Sequence, residues 1–396
     1  LSPNAQSVLD NVDRDYHRIS LTDLEKSRID WPTYVRDNRV VLQDKKTLRD
    51  HQTKALEAVR VGLSKADRGK VIMACGTGKT FTSLKIAEDI AGNGKLVLYM
   101  VPSLALMSQS VREWKNDSSD DFLAFSVCSD VKVGKRQASG DTIQFTVHDL
   151  AFPATTDAGK IAQQVADSDR GKMIVVFSTY QSIQAISDAQ KKHGLPEFDL
   201  IICDEAHRTT GATLSGEDDS HFVRIHANEH VNGKKRLYMT ATPKVFGDNA
   251  KSKAKTHAVE LASMDDEKKF GEVLFYRGFS WAVENNLLSD YKVIVLAVDE
   301  GLVSAGVQRR LSVDNEMNLD DATKIIGCYK ALTKQNLIGE EKDNPKPMKR
   351  ALAFCKNIAV SKMVTDEFAD VVEEFVSAET DNGETRPALG VETRHV

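Results

Sequence analysis

No two of the five cysteines stand at metal-ligand or redox spacing in this 396-residue sequence. Cys75, Cys128, Cys203, Cys328 and Cys355 are widely scattered, which excludes a CxxC zinc ribbon and a disulfide framework. Cys75, Cys203 and Cys355 lie in or beside apolar runs, the setting of reduced core thiols, and the expected location is cytoplasmic. No apolar run reaches the length of a membrane span and no secretory leader is visible, so a membrane is not an expected partner. An excess of positive charge is also missing. With a formal net charge of −5, bulk attraction to nucleic acid is excluded, and any such binding must come from a local basic face. Internal repeats are absent, and no acidic pair with a nearby lysine marks a nuclease centre. The length exceeds one ordinary core and argues for two domains. Leu1 in place of Met, and an RHV end where a strand begins, read as part of a longer protein.

What is present centres on two apolar runs. VIMACGTGKT (71–80) ends a strand-like run with a phosphate-binding loop and opens a helical pattern. Gly76 and Gly78 let the backbone turn its N–H groups inward around phosphates, and Thr77 between them shares that cradle. Lys79 brings a point charge to the outer phosphates, and the Thr80 hydroxyl is a ligand for Mg2+. Far downstream, IICDEAH (201–207) places two adjacent carboxylates at the end of a second run. Asp204 holds the metal from the opposite side and Glu205 polarises the attacking water. The pair of motifs predicts an ATP site using Mg2+, with Lys79, Asp204 and Glu205 as its catalytic residues.

LRDHQTKALEAVRVGL carries Leu48, Ala55, Leu56, Val59 and Leu63 at helical spacing. Strands and helices then alternate. Strand candidates are 71–74, 95–101, 122–127, 173–179, 199–204 and 236–242, with helices over 80–91 and 105–114. Continuous apolar strands separated by helices predict an α/β fold with a parallel sheet covered on both faces, whose ligand sites lie at the strands' carboxyl ends. Residues 1–45 read as a lead-in or linker with a turn at Trp31–Tyr34, 46–264 as the ATP-binding domain, and 265–290 as a connector with a short amphipathic helix. Residues 291–396 read as a second, incomplete domain. It opens at YKVIVLAV (291–298), passes a helix near 322–333, and reaches RALAFC (350–355) and a helix over 358–368.

The ordered motifs resemble those of superfamily 2 helicase-like ATPases, over roughly Leu48 to Phe368. LRDHQ, MACGTGKT, MVPSLALMSQ, STYQS, DEAH, TATP and FCKNIAVSKMV follow in the family's order. The resemblance implies a RecA-like P-loop domain, followed by the start of a second RecA-like domain. It implies that Gln52 reads the adenine edge, and that His207, Thr240 and Thr242 couple the ATP site to movement. MACGTGKT, LYMTATPK and WAVENNLLSDYKV look most like the motor of restriction enzymes, particularly the single-polypeptide type ISP. That implies an ATP-driven translocase on double-stranded DNA, flanked in the parent chain by nuclease, methyltransferase and target-recognition domains. Two rivals are a strand-separating helicase for repair or RNA work and a nucleotide-binding module without efficient turnover. Met73 departs from the Gly or Ala usual at the first loop position. Nothing after Phe368 supplies the later motifs that carry arginine fingers, so weak turnover is expected from residues 1–396 alone.

Other signals have plainer readings. Ser103 and Thr179 follow strands, where such residues cap helices or form turns; the motif order implies backbone-phosphate contact instead. Tyr180 is either a base-stacking ring or a packed aromatic. HANEH (226–230) has the H-x-x-E-H spacing of zinc peptidases, with His226, Glu229 and His230, yet lacks a third ligand and is expected to be a solvated helix face. GKKR (233–236) reads as a solubilising loop.

Overall fold

The computed structural model describes residues 21–25, 27–128, 154–214, 221–249, 252, 259–290, 319–334, 347–355, 357–381 and 391–394. The chain divides into two compact units, residues 1–139 with 143–290, and residues 140–142 with 291–396.

The first unit is built on a seven-stranded sheet. Its strands are β1 (Arg68–Met73), β2 (Leu96–Val101), β3 (Phe122–Val127), β4 (Met173–Thr179), β5 (Leu200–Cys203), β7 (Arg236–Thr240) and β9 (Glu272–Arg277). They lie in the order β3-β4-β2-β5-β7-β1-β9, and every neighbouring pair is parallel. A separate antiparallel pair joins β6 (Gly211–Leu214) to β8 (Val259–Ala262). The apolar runs are continuous because both sheet faces are covered. From β2, Val97, Tyr99 and Val101 enter one core beneath α1 (Asp50–Lys65), α2 (Lys79–Ile90) and α3 (Leu104–Asp117). Leu96, Leu98 and Met100 enter the opposite core beneath α4 (Ala158–Ala166) and α5 (Ile183–His193). The central strands β2, β4 and β5 thus bury both of their side-chain rows, as period-2 geometry requires. Trp114 of α3 packs edge-on against Tyr99 and Phe177, with ring centroids 5.0 and 5.5 Å apart. Its indole N–H donates to the Thr80 carbonyl at 3.1 Å, tying α3 to the first turn of α2.

Several segments differ from their sequence reading. Trp31–Asp37 is a helix rather than a turn, because the Asp30 carboxylate caps it through Thr33 N–H at 3.1 Å and Pro32 sits in its first turn. Within 265–290, read as a connector, two short helices, α6 (Glu267–Phe270) and α7 (Phe279–Glu284), flank β9, the edge strand of the sheet. Phe275 is buried in the core while Val273 and Tyr276 stay exposed. Such half-buried character carries a weaker signal than a central strand.

In the second unit, α8 (Leu319–Thr333) packs on α9 (Ile358–Asp381) through Ala322, Ile325, Ile326, Tyr329, Phe368, Val371, Val372 and Phe375. The apolar stripe at 364, 368, 371, 372 and 375 extends this helix well past Phe368. Residues 350–355 pair with no described strand, and Phe354 is 91% exposed. YKVIVLAV lies outside the described residues. No described helix is long and apolar enough to cross a membrane.

Candidate active site

The phosphate loop leaves β1 and turns into α2 through two left-handed glycines, Gly76 at φ +79 and Gly78 at φ +86. A side chain is strained at such angles, so both positions favour glycine. The loop is braced from within and from α1. Thr77 is buried, and its hydroxyl donates to the Ala74 carbonyl at 2.7 Å. His51 Nε2 lies 3.0 Å from the Thr77 carbonyl. Gln52, 4% exposed, places Nε2 3.3 Å from the carbonyls of both Thr77 and Gly78, while its Oε1 accepts from Arg49 N–H at 2.9 Å. Its amide therefore engages the loop and its own helix cap in this structure.

Across the sheet edge, β5 delivers Asp204 and Glu205. Lys79 Nζ is 3.9 Å from Glu205 Oε1, so loop and carboxylates share one site. Glu205 adopts a left-handed backbone, φ 48 and ψ 46, an unusual conformation for a residue with a side chain and one that concentrates at functional positions. Asp204 is buried and accepts from Glu205 N–H at 2.9 Å and from the Tyr99 hydroxyl at 3.0 Å. Burial, and next the adjacent Glu205 charge, push its pKa up to about 6. A buried carboxylate under that pressure suits a divalent cation. Mg2+ commonly takes one or two carboxylates and completes its shell from phosphates and water, so Thr80 and Asp204 form an adequate donor set.

His207 connects this pair to β7. Its Nδ1 lies 3.0 Å from Thr240 Oγ1 and 3.4 Å from Glu205 Oε2. Thr240 Oγ1 also accepts from Thr242 N–H at 3.1 Å. Burial holds the His207 pKa below the ordinary histidine value, which favours the neutral ring. A proton placed on Nδ1 can be shared between Glu205 and Thr240.

The residues at the strand ends take definite places, and two readings, HANEH and GKKR, are corrected. Tyr180 is fully buried. Its hydroxyl donates to the Asp204 carbonyl at 2.8 Å, and its ring centroid lies 5.4 Å from that of Phe222. No face is left for a base, and the residue braces the DEAH turn. Thr179 is also buried and donates to Ser182 Oγ at 3.1 Å, whereas Ser103 is exposed and caps α3 through Leu106 N–H at 3.3 Å. HANEH is not a helix face. His226 ends a single 3-10 turn and is buried, with Nε2 2.9 Å from the Thr209 carbonyl and Nδ1 3.0 Å from the Tyr238 hydroxyl. Both ring nitrogens are occupied, so neither is offered to zinc, and burial pushes its pKa down to about 4. Arg236 of GKKR is also buried. Its guanidinium donates to the carbonyls of Ile225, Gly233 and Val231 and to Asn228 Oδ1, at 2.6–3.2 Å. Tyr99 and His51 went unseen in the sequence. The only signals were a hydroxyl inside an apolar run and a histidine beside Gln52.

The family described as "Type III restriction enzyme, res subunit" matches residues 45–245. Among solved structures, the chain is similar to the ATP-dependent Type ISP restriction-modification enzyme LlaBIII bound to DNA. Identity is 42%, the TM-score is 0.73, and the match covers 94% of this chain and 24% of that one. It is also similar to a nuclease-deletion mutant of the Type ISP restriction-modification enzyme LlaGI in complex with a DNA substrate mimic. There the identity is 36%, the TM-score 0.56, and the coverage 86% of this chain and 24% of that one. The chain thus spans about a quarter of the length of each. No curated protein matches it. Over a RecA-like sheet whose carboxyl edge gathers loop, carboxylates and Thr240, the chain belongs to the type III restriction enzyme res-subunit family and is similar to the helicase-like motor of type ISP enzymes.

Proposed function

We propose that this chain is the ATP-hydrolysing motor segment of a restriction-modification enzyme and drives movement along duplex DNA. The observation that carries the reading is the placement of Glu205, strained in its backbone and set between Lys79 and His207. That position suits a residue that polarises water beside the terminal phosphate and reports its loss to β7 through Thr240. In this reading Lys79 binds the outer phosphates and the loop N–H groups of 76–80 cradle them. Thr80 and Asp204 would hold Mg2+, which supplies positive charge against the phosphate oxygens. Gln52 reads the adenine edge after releasing its loop contacts. Ser103 contacts the nucleic-acid backbone, and Thr179 positions the turn beside it. The similarity to DNA-bound, ATP-dependent enzymes supports duplex DNA as the track, and supports nuclease, methyltransferase and target-recognition domains elsewhere in the parent chain.

The test is ATP turnover by the full-length protein with duplex DNA, single-stranded DNA or RNA, together with displacement of a triplex-forming strand from the duplex. Stimulation by duplex DNA and displacement without strand separation are expected. Equal stimulation by RNA, or unwinding of the duplex, would overturn the translocase reading.

A further inference from the structure

The nucleotide's direction across the site can be read from the sheet order. Glu205 and Asp204 follow β5, on one side of β1, and β9 lies on the other side. If the terminal phosphate faces Glu205, the base must extend towards β9. There the chain doubles back along the loop. The Arg277 carbonyl accepts from Ala74 N–H at 2.9 Å, so the end of β9 abuts the first residue of the loop. A methyl group built on Gly76 would come within 3.0 Å of Leu288 Cδ2, so the segment returns to the loop eleven residues later. Between these contacts, Trp281 sets its ring centroid 5.4 Å from that of His51, which itself touches the Thr77 carbonyl. The Arg277 guanidinium lies 5.1 Å from the Phe275 ring centroid and 5.2 Å from that of Trp281. Arg277 Nε is buried without a hydrogen-bond partner among the described residues.

We infer that Arg277–Leu288 forms the base-side wall of the nucleotide site, with Trp281 and Arg277 the residues that bind a purine. The inference rests on the ATPase reading above and assigns the half of the ligand that the phosphate loop does not hold. An indole backed by a guanidinium offers a planar, polarisable surface, which matches a heteroaromatic ring. Because every base has a π-face, this wall supplies affinity for the ring, leaving the choice between adenine and guanine to Gln52.

The experiment compares ATP with inorganic tripolyphosphate, which keeps the phosphates and lacks the base. Binding of each to the full-length protein is measured by calorimetry for wild type, Trp281→Ala, Trp281→Phe and Lys79→Ala. Trp281→Ala is expected to weaken ATP about tenfold or more and leave tripolyphosphate unchanged, with Trp281→Phe recovering most of the loss. Lys79→Ala should weaken both ligands. A Trp281→Ala protein that binds ATP as well as wild type, or loses both ligands equally, would overturn the inference while leaving the phosphate loop in place. Wild type binding neither ligand would overturn the ATPase reading itself, and this inference with it.

Discussion

Replacing Asp204 by asparagine should stabilise the nucleotide-free protein while removing its activity. Asp204 is buried between Tyr99 and the start of the DEAH turn, beside the Glu205 charge. Burial and that charge lift its pKa from an ordinary 3.8 to about 6, outweighing the hydrogen bonds from Glu205 N–H and Tyr99 and the attraction of Lys79. A rise of that size corresponds to ~3 kcal/mol of native-state penalty on the ionised form. The native state holds this proton more tightly than the unfolded chain. Between about pH 4 and pH 6 it therefore carries more protons, and stability falls as pH rises. Above pH 6 the whole penalty is present, and below about pH 4 none of it is. Asparagine keeps an acceptor for Glu205 N–H and carries no charge. Asp204→Asn should thus exceed wild type by ~3 kcal/mol near pH 7.5 and match it near pH 4. All three tryptophans (Trp31, Trp114 and Trp281) lie in the first unit, so urea unfolding followed by tryptophan fluorescence reads that unit alone. Adding ATP with Mg2+ should reverse the order, because only wild type gains binding energy. A variant no more stable than wild type at pH 7.5, or a difference that does not change with pH, would refute the reasoning.

Glu205→Gln keeps the shape of the site and loses the carboxylate proposed to polarise water. ATP binding should persist while turnover falls roughly a thousandfold, and normal single-turnover rates would assign that role elsewhere. Gln52→Ala should erase the preference for ATP over GTP in nucleotide competition, and an unaltered preference would remove the adenine-reading role. Arg236→Met orphans buried carbonyls at 225, 231 and 233 and should lower stability by ~3–5 kcal/mol in denaturant unfolding; a loss below about 1 kcal/mol would show the network to be idle. His226 is a base with its pKa depressed to about 4. The unfolded chain therefore takes up its proton first as pH falls below about 6.5, and stability is lost between there and pH 4. Relative to His226→Phe, wild type should gain ~3 kcal/mol from pH 4 to pH 7, and parallel pH curves would contradict that assignment.

The phosphate loop, the paired carboxylates and the central strands were legible because their chemistry is local. Gly76 and Gly78 are needed where they stand, whatever lies around them, and LVLYMV and MIVVFST announce strands buried on both faces. β9 was harder to see. Its inward Phe275 and outward Val273 and Tyr276 give an edge strand the same texture as a connector. Helix Trp31–Asp37 depended on one capping carboxylate, and a tryptophan-proline pair looks equally well like a turn.

The braces of the site were illegible for the opposite reason: each joins residues far apart in sequence whose types carry no signature. Tyr99 reaches Asp204 across 105 residues, and Arg236 closes on carbonyls of a loop that looks merely polar. Position alone decides their roles. The same arginine in a solvated GKKR loop would be a solubility feature, while at the start of β7, with no water to satisfy it, it must gather acceptors or not fold. Tyr180 makes the point for function. The tyrosine of STYQS can stack on a base only if its ring is exposed. The β4 register instead carries it under the DEAH turn, where its hydroxyl holds the carbonyl of Asp204. Asp204 is thus held at both ends by tyrosines, Tyr99 of β2 on the side chain and Tyr180, just past the end of β4, on the backbone. The Tyr99 hydrogen bond offsets part of the burial penalty on the Asp204 charge, and the Tyr180 bond fixes the carbonyl that leads into the left-handed Glu205.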